Sequence, residues 1–255
     1  MKSSQATQWS PLDYTPSLKN LSKREKRQLR KLRQTKNSLL LTQVIPKNSR
    51  QQRAFDSFYA DKNIVLHGVA GTGKTFIALY LALSDILENE NGVEKVVIVR
   101  SAVPTRDMGF LPGTATAKAE SYEYPYIDIC AELFGRNDAY NSLKGKGMIE
   151  FMTTSYIRGT TMSNSIILVD EAQNLSFHEL DSIMTRLGEN STLILAGDFR
   201  QTDLQKDFEK KGLLSFMNIV SSLNDFDSIE FNASDIVRSE MVKNYIIGKM
   251  KHGYA

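Results

Sequence analysis

The hydrophobic positions of this chain come mostly in short unbroken runs rather than in alternation. The clearest are IVLH at 64–67, VVIV within KVVIVR at 95–100, IILV at 166–169 and LILA within TLILA at 192–196. A strand that is apolar at successive positions is buried on both faces, as happens when helices cover both sides of a parallel sheet. The intervening segments carry helical periodicity. They predict helices over 48–59, 75–90, 126–134, 176–188 and about 213–223, with a last one from Ser239, and further strands at 149–152 and 228–231. Ser176 and Glu179 have the spacing of a capping box. The stretch 101–125 reads as a long loop. Alternating strands and helices define an α/β fold with one parallel sheet.

The chemistry sits where those strands end. Residues 68–75 read GVAGTGKT, a complete Walker A loop entered from the strand 64–67 and followed by an apolar helix. Gly68, Gly71 and Gly73 allow backbone angles and close approaches that a Cβ would block. Val69, Ala70, Thr72 and Phe76 complete the cradle, whose inward N–H groups meet phosphates at a helix N-terminus. Lys74 offers a point charge to the β- and γ-phosphates, and Thr75 a hydroxyl to Mg²⁺. An ordinary glycine-rich turn is the competing reading, and the full motif in this context weighs against it.

At 166–174 the run IILVDEAQN delivers two carboxylates to the sheet's carboxyl edge, where open α/β sheets bind ligands. Asp170 suits the Mg²⁺ water shell, and Glu171 suits the task of orienting and deprotonating an attacking water. After the strand 192–196, GDFRQ supplies Asp198 and Gln201 as candidates for sensing the γ-phosphate by hydrogen bonds; a simple turn is the alternative. Gln51 or Gln52 could read an adenine edge, since an amide both donates and accepts. We take Gln51 as the candidate.

These blocks resemble the core of superfamily 1 helicases. With Arg100 after KVVIVR, MGFLPG at 108–113, SYIRGTT at 155–161, MTRLG at 184–188 and SDIVRS at 234–239, the chain is similar to the PhoH family of phosphate-starvation-inducible ATPases from about residue 45 onward. The resemblance implies a single RecA-like P-loop NTPase core, ATP with Mg²⁺ as cofactors, RNA in preference to DNA, and a ring of identical subunits, commonly a hexamer. Two departures stand out. Ser101 follows Arg100 where the family usually has proline, and 114–125 fits the pattern loosely.

Composition adds an asymmetry. The chain of 255 residues has net charge +3, but residues 23–36 hold eight Lys or Arg against one Glu. We therefore divide the chain into a basic arm, 1–45, and an ATPase domain, 46–255, with Pro46 at the boundary. Such an arm can attract phosphate backbones or can be simply an exposed tail. No apolar stretch is long enough for a bilayer, and the first residues lack the apolar region of a signal peptide. The single Cys130 excludes an internal disulfide. The expectation is a cytoplasmic protein without membrane contact, with Cys130 a packed thiol.

About fifty residues follow the sensor loop, too few for a second core domain. A neighbouring subunit is thus expected to complete the site, in a head-to-tail ring. Arg158, Arg186 and Arg238 are candidates for a cationic finger, with Arg238 first and Arg158 second. Between Ser101 and Pro125, Arg106, Phe110, Lys118, Tyr122 and Tyr124 interleave charge with aromatic rings, a pattern that suits single-stranded nucleic acid; core or interface packing is the equal alternative. The expected function is an ATPase coupled to binding or movement on single-stranded nucleic acid. A nucleotide-controlled switch acting on a protein partner is the rival, and a small-molecule kinase is less favoured because no lid is evident. The tails are too short for the PIN-type RNase domain of some relatives, and no nuclease activity is expected.

Overall fold

The buried apolar runs pair into a parallel sheet. The computed structural model describes residues 39–88, 92–101, 115–157, 159–199 and 207–253, with the side chains of 115–120 and 207–210 left aside. The strands are β1 (Asn63–Gly68), β2 (Lys95–Arg100), β3 (Ile149–Thr153), β4 (Ser165–Val169), β5 (Ser191–Gly197) and β6 (Phe226–Phe231). The helices are α1 (Ser49–Tyr59), α2 (Lys74–Glu88), α3 (Ala115–Phe134), α4 (Ala139–Gly145), α5 (Phe177–Met184), α6 (Asp207–Ser221) and α7 (Glu240–Lys251). From Leu41 onward they belong to one compact unit.

Strand order is β3-β2-β4-β5-β1-β6, and every pair is parallel. This is a RecA-like P-loop core. β5 therefore separates the strand feeding the glycine-rich loop from the strand carrying the acidic pair. The register sets Leu66 beside Ala196, Gly68 beside Phe231 and Val99 beside Val169. All the strands thus release their loops at the same edge, and Gly68, Asp170 and Gly197 arrive there together.

Successive strand side chains point to opposite faces, so a doubly covered sheet needs both sets apolar. One set, Val65, Val97, Ile167, Leu193 and Leu195, packs with Leu180 and Ile183 of α5 and Leu213, Phe216 and Val220 of α6. Between them, Ile64, Leu66, Ile98, Leu168 and Ile194 are equally enclosed. On that side α2 runs against β2, β4 and β5. Ile77 to Leu83 of α2 are all buried, which explains the unusually apolar sequence of this helix. Each fully buried Leu or Ile among them contributes about 1.5–3 kcal/mol of transfer free energy.

Four elements differ from expectation. The long loop 101–125 and short helix 126–134 are replaced, from Ala115, by the single helix α3 with Pro125 inside it. Proline in a helix interior forfeits a hydrogen bond and costs about 3 kcal/mol. Side-chain anchors on α3 offset that loss. Glu123 accepts hydrogen bonds from Tyr140 at 2.6 Å and from Lys144 at 2.6 and 2.8 Å, both on α4, which the sequence pattern did not predict.

α5 stops at Met184 instead of 188. Beyond it the chain pairs with residue 162, with Met162 N–H donating to Arg186 O and Gly188 N–H to Met162 O, each at 2.9 Å. α6 begins at Asp207 rather than near 213. The capping box on α5 forms as expected, with Ser176 and Glu179 exchanging bonds. Among the described residues, no helix is long and apolar enough to cross a membrane.

Candidate functional site

The glycine-rich loop is built against β6. Gly68, Gly71 and Gly73 have φ of +108°, +76° and +84°, in the left-handed half of the map that side chains avoid. A Cβ on Gly68 would lie 2.1 Å from the Phe231 carbonyl oxygen, and the Val69 N–H donates to that same oxygen at 3.0 Å. Thr72, fully buried, closes the loop by donating to Val69 O at 3.0 Å.

The bond from Ile77 N–H to Gly73 O, 2.9 Å, opens the ladder of α2. The N–H groups before Ile77 thus have no carbonyl one turn back within the helix. No acidic side chain occupies that first turn, so the positive helix end is free for an anion. Lys74 bridges the loop, its Nζ donating to Gly68 O and Val69 O at 2.8 Å each. Burial lowers the Lys74 pKa, and the charges of Asp198, Glu171 and Asp170 only partly restore it.

At the end of β4, Asp170 is buried and its N–H bonds to Val99 O at 3.0 Å. Thr75 donates to Asp170 Oδ1 at 2.8 Å, and the Tyr126 hydroxyl to Oδ2 at 2.9 Å. Burial raises the Asp170 pKa, Glu171 adds to the rise, and the Thr75 and Tyr126 bonds and Arg100 act against it. A cation at this spot would relieve the cost of burying that charge.

The hydroxyl and carboxylate oxygens are hard ligands suited to a small divalent cation that keeps water and phosphate in its shell. Among the described residues no group of three or more His, Cys, Asp or Glu could hold a metal. Water and phosphate would have to supply the remaining ligands.

Glu171 adopts a left-handed conformation, φ 52° and ψ 41°, which costs a non-glycine residue about 1–2 kcal/mol. Its carboxylate is held by Gln173, whose Nε2 donates to Glu171 Oε2 at 2.5 Å. The same amide's Oε1 accepts from Asp198 N–H at 3.1 Å. Gln173 thus ties the acidic pair to the loop after β5, a link the sequence reading missed. Gly197 makes room for it, since a Cβ there would stand 2.5 Å from Gln173 Oε1. His67 and Phe199 rings lie 5.8 Å apart beside this link.

Gln51 is buried against the loop, whereas Gln52 is exposed and bonds to Asp56. Gln51 Nε2 donates to Thr72 O at 3.0 Å, and its Oε1 accepts from Lys47 N–H at 2.7 Å. One N–H and one lone pair of the amide are left by these bonds.

Arg238 lies on its own chain's loop: a Cβ on Gly71 would be 3.2 Å from Arg238 Cγ and 3.3 Å from Ile246 Cδ1. Val237 N–H donates to Gly71 O at 3.0 Å. This sets the Arg238 side chain against the loop of its own chain. Arg186 is at the turn after α5, donating to Thr185 O. Arg158 and Gln201 lie outside the described residues, as do residues 1–38 of the basic arm, Arg106 and Phe110. Tyr122 and Tyr124 stand on α3 rather than in a loop. Tyr122 lies under Arg100, 5.7 Å from ring centroid to guanidinium carbon, and Tyr124 is exposed.

Comparison with known proteins bears on this constellation. A family model described as PhoH-like protein matches residues 43–248, a range that includes every described site residue. A PhoH-like protein of Synechocystis is 36% identical over 180 residues, covering 70% of this chain and 54% of that one. Protein PhoH of Escherichia coli is 28% identical over 200 residues, covering 78% and 56%. The chain spans about half the length of these curated relatives. Among solved structures, the large terminase of a thermophilic bacteriophage aligns at 12% identity with a TM-score of 0.47, covering 80% of this chain and 50% of that one.

Proposed function

The chain belongs to the PhoH-like protein family, and from that premise we propose that it is a Mg²⁺-dependent ATPase coupled to single-stranded nucleic acid, RNA first. The observation that carries the hydrolytic part is the 2.8 Å bond between Thr75 and Asp170. It brings the glycine-rich loop and the acidic pair into one site, with Glu171 next in sequence.

In this reading Mg²⁺ bound with ATP supplies charge neutralisation at the phosphates, and Thr75 and Asp170 are the residues that hold it. Lys74 exchanges its two carbonyl partners for phosphate oxygens. The N–H groups of Ala70 to Phe76 receive the phosphate chain at the α2 N-terminus, that of Val69 being held by Phe231 O. Glu171 accepts the proton of the attacking water, while Gln173 holds its carboxylate in place against the Asp198 loop. Asp198 and Gln201 sense the terminal phosphate. Gln51 offers its spare donor and acceptor to the base, and Arg238 acts in cis on the phosphates.

Nucleic acid coupling draws support from Tyr156, 68% exposed just past β3, and Tyr124, 64% exposed on α3. Both rings are available for base stacking, and Arg158 follows Tyr156 closely. A ring of identical subunits, most simply a hexamer, belongs to the same proposal. Met241 and Tyr245 of α7 are exposed, and the neighbouring Ile246 touches the loop, so a second subunit covering this apolar surface would lie close to the nucleotide. Native mass spectrometry tests the ring.

The decisive experiment measures ATP turnover with and without single-stranded RNA or DNA, beside Lys74→Ala and Glu171→Gln. Stimulated turnover that both substitutions abolish supports the proposal. Slow, unstimulated turnover with intact nucleotide binding overturns the coupling and favours a nucleotide-controlled switch.

A further inference from the structure

We propose that Tyr126 is a positioning residue for the metal-binding carboxylate, its hydroxyl fixing Asp170 Oδ2 so that Oδ1 stays aligned with Thr75 for the cation. The inference rests on the Mg²⁺ site proposed above and adds a group from outside all the nucleotide motifs. A carboxylate turns easily about its last torsion, where the preference is broad and roughly two-fold. Asp170 has a donor on each oxygen, Thr75 at 2.8 Å and Tyr126 at 2.9 Å, and two donors on opposite oxygens define its plane. A cation then meets a ligand that has already lost its rotational freedom.

The tyrosine is itself held. It is fully buried, and a buried hydroxyl is costly unless it is hydrogen-bonded. Its ring lies 6.0 Å from that of Phe151 on β3. One turn earlier on α3, Glu123 is tied to Tyr140 and Lys144 of α4, and Tyr122 rests under Arg100 at the end of β2. The hydroxyl is therefore located by the packing of a whole helix. This also gives the proline-containing helix a chemical reason to start before Pro125.

Tyr126→Phe removes only the hydroxyl and keeps the packed ring. Tyr140→Phe is the control, since it removes a buried hydroxyl–carboxylate bond between α4 and α3, leaves Glu123 still held by Lys144, and does not touch Asp170. Mn²⁺ binding to each protein in the presence of a non-hydrolysable ATP analogue is titrated by electron paramagnetic resonance, with thermal melts alongside. The expected result is a roughly five- to tenfold loss of Mn²⁺ affinity in Tyr126→Phe, matching a loss of about 1–1.4 kcal/mol. Tyr140→Phe is expected to lower the melting temperature and leave Mn²⁺ affinity within twofold.

The Mg²⁺ concentration for half-maximal turnover should rise in parallel in Tyr126→Phe, and binding of the analogue without metal should not change. Unchanged Mn²⁺ affinity in Tyr126→Phe, or an equal loss in Tyr140→Phe, overturns the inference. A wild-type protein that binds Mn²⁺ with the analogue but never turns over ATP refutes the hydrolytic proposal, and the titration still decides the role of Tyr126.

Discussion

Replacing Gly68 with alanine tests the close approach that shapes the glycine-rich loop. The added Cβ would stand 2.1 Å from Phe231 O, with Phe231 C and N at 3.0 Å, and all three are backbone atoms that cannot swing aside. The φ of +108° adds about 1–3 kcal/mol of conformational strain. Relieving the clash means parting β1 from β6 at the Gly68–Phe231 pair. That sacrifices the Val69 bond to Phe231 O, worth about 1 kcal/mol, and loosens the packing beneath it by a similar amount.

The total is about 3–5 kcal/mol, a large share of the roughly 5–15 kcal/mol by which folded domains are stable. At about 2–4 °C per kcal/mol for a domain of this size, the melting temperature should fall by roughly 6–20 °C. Gly71→Ala is the internal comparison, because its Cβ would meet only the side-chain atoms of Arg238, Ile246 and Ile236, at 3.2–3.7 Å. Differential scanning calorimetry of both variants gives the answer. A Gly68→Ala protein melting within 2 °C of the wild type, or no lower than Gly71→Ala, would refute the steric argument.

Gln173→Ala removes two bonds worth about 1 kcal/mol each but also frees Glu171, so phosphate-release assays should show kcat down about tenfold or more with the melt only slightly lower; kcat within twofold of wild type would remove Gln173 from the site. Burial pulls the Asp227 carboxyl upward, yet hydrogen bonds from Arg53 and Ser57 and the charges of Arg53 and Lys62 leave it below its ordinary value. Its stabilisation is therefore fully present above the unfolded carboxylate pKa of about 3.9 and lost as pH falls through the lower folded value. Asp227→Asn should flatten that part of the acid limb of a stability-against-pH curve, and an identical limb would contradict the linkage. Burial pushes the Cys130 thiol up to about 12. Iodoacetamide at pH 8 should leave it unmodified in the folded protein and alkylate it in urea, and mass spectrometry would expose rapid native labelling as the contrary result.

Some of this molecule could be read directly because its physics is local. The loop glycines directly follow β1 in sequence and the carboxylates directly follow β4, and the apolar runs are of strand length and unbroken, as doubly buried strands require. Gln173 was not legible in that way. As a letter after the acidic pair it is one more polar residue, and its bond to Asp198 exists only because β5 lies against β4.

Tyr126 was hidden by the proline one position before it. Pro125 reads as a boundary, and the anchors that keep α3 continuous, Glu123 with Tyr140 and Lys144, come from a helix that carries no periodic signal of its own. For Gln51 the sequence offered only the choice of Gln51 or Gln52 as a reader of the base, and no sign that Lys47 and Thr72 engage half of the Gln51 amide. Nothing in the letters DIVRS shows that Val237 hands its N–H to Gly71 and so sets Arg238 against the loop of its own chain.

The dependence of the glycine-rich loop on β6 and the segment after it has a consequence for biosynthesis. Phe231 O, the Val237 N–H and Ile246 shape a loop that leaves the ribosome far earlier than they do. A nascent chain can thus already hold β1 and α2 and still lack the template that sets the cradle's angles. Nucleotide, which stabilises only states it can bind, would reward no shortened product. On the proposed function, cellular nucleotide would help sort chains that hold β6 and the segment after it from chains truncated before them.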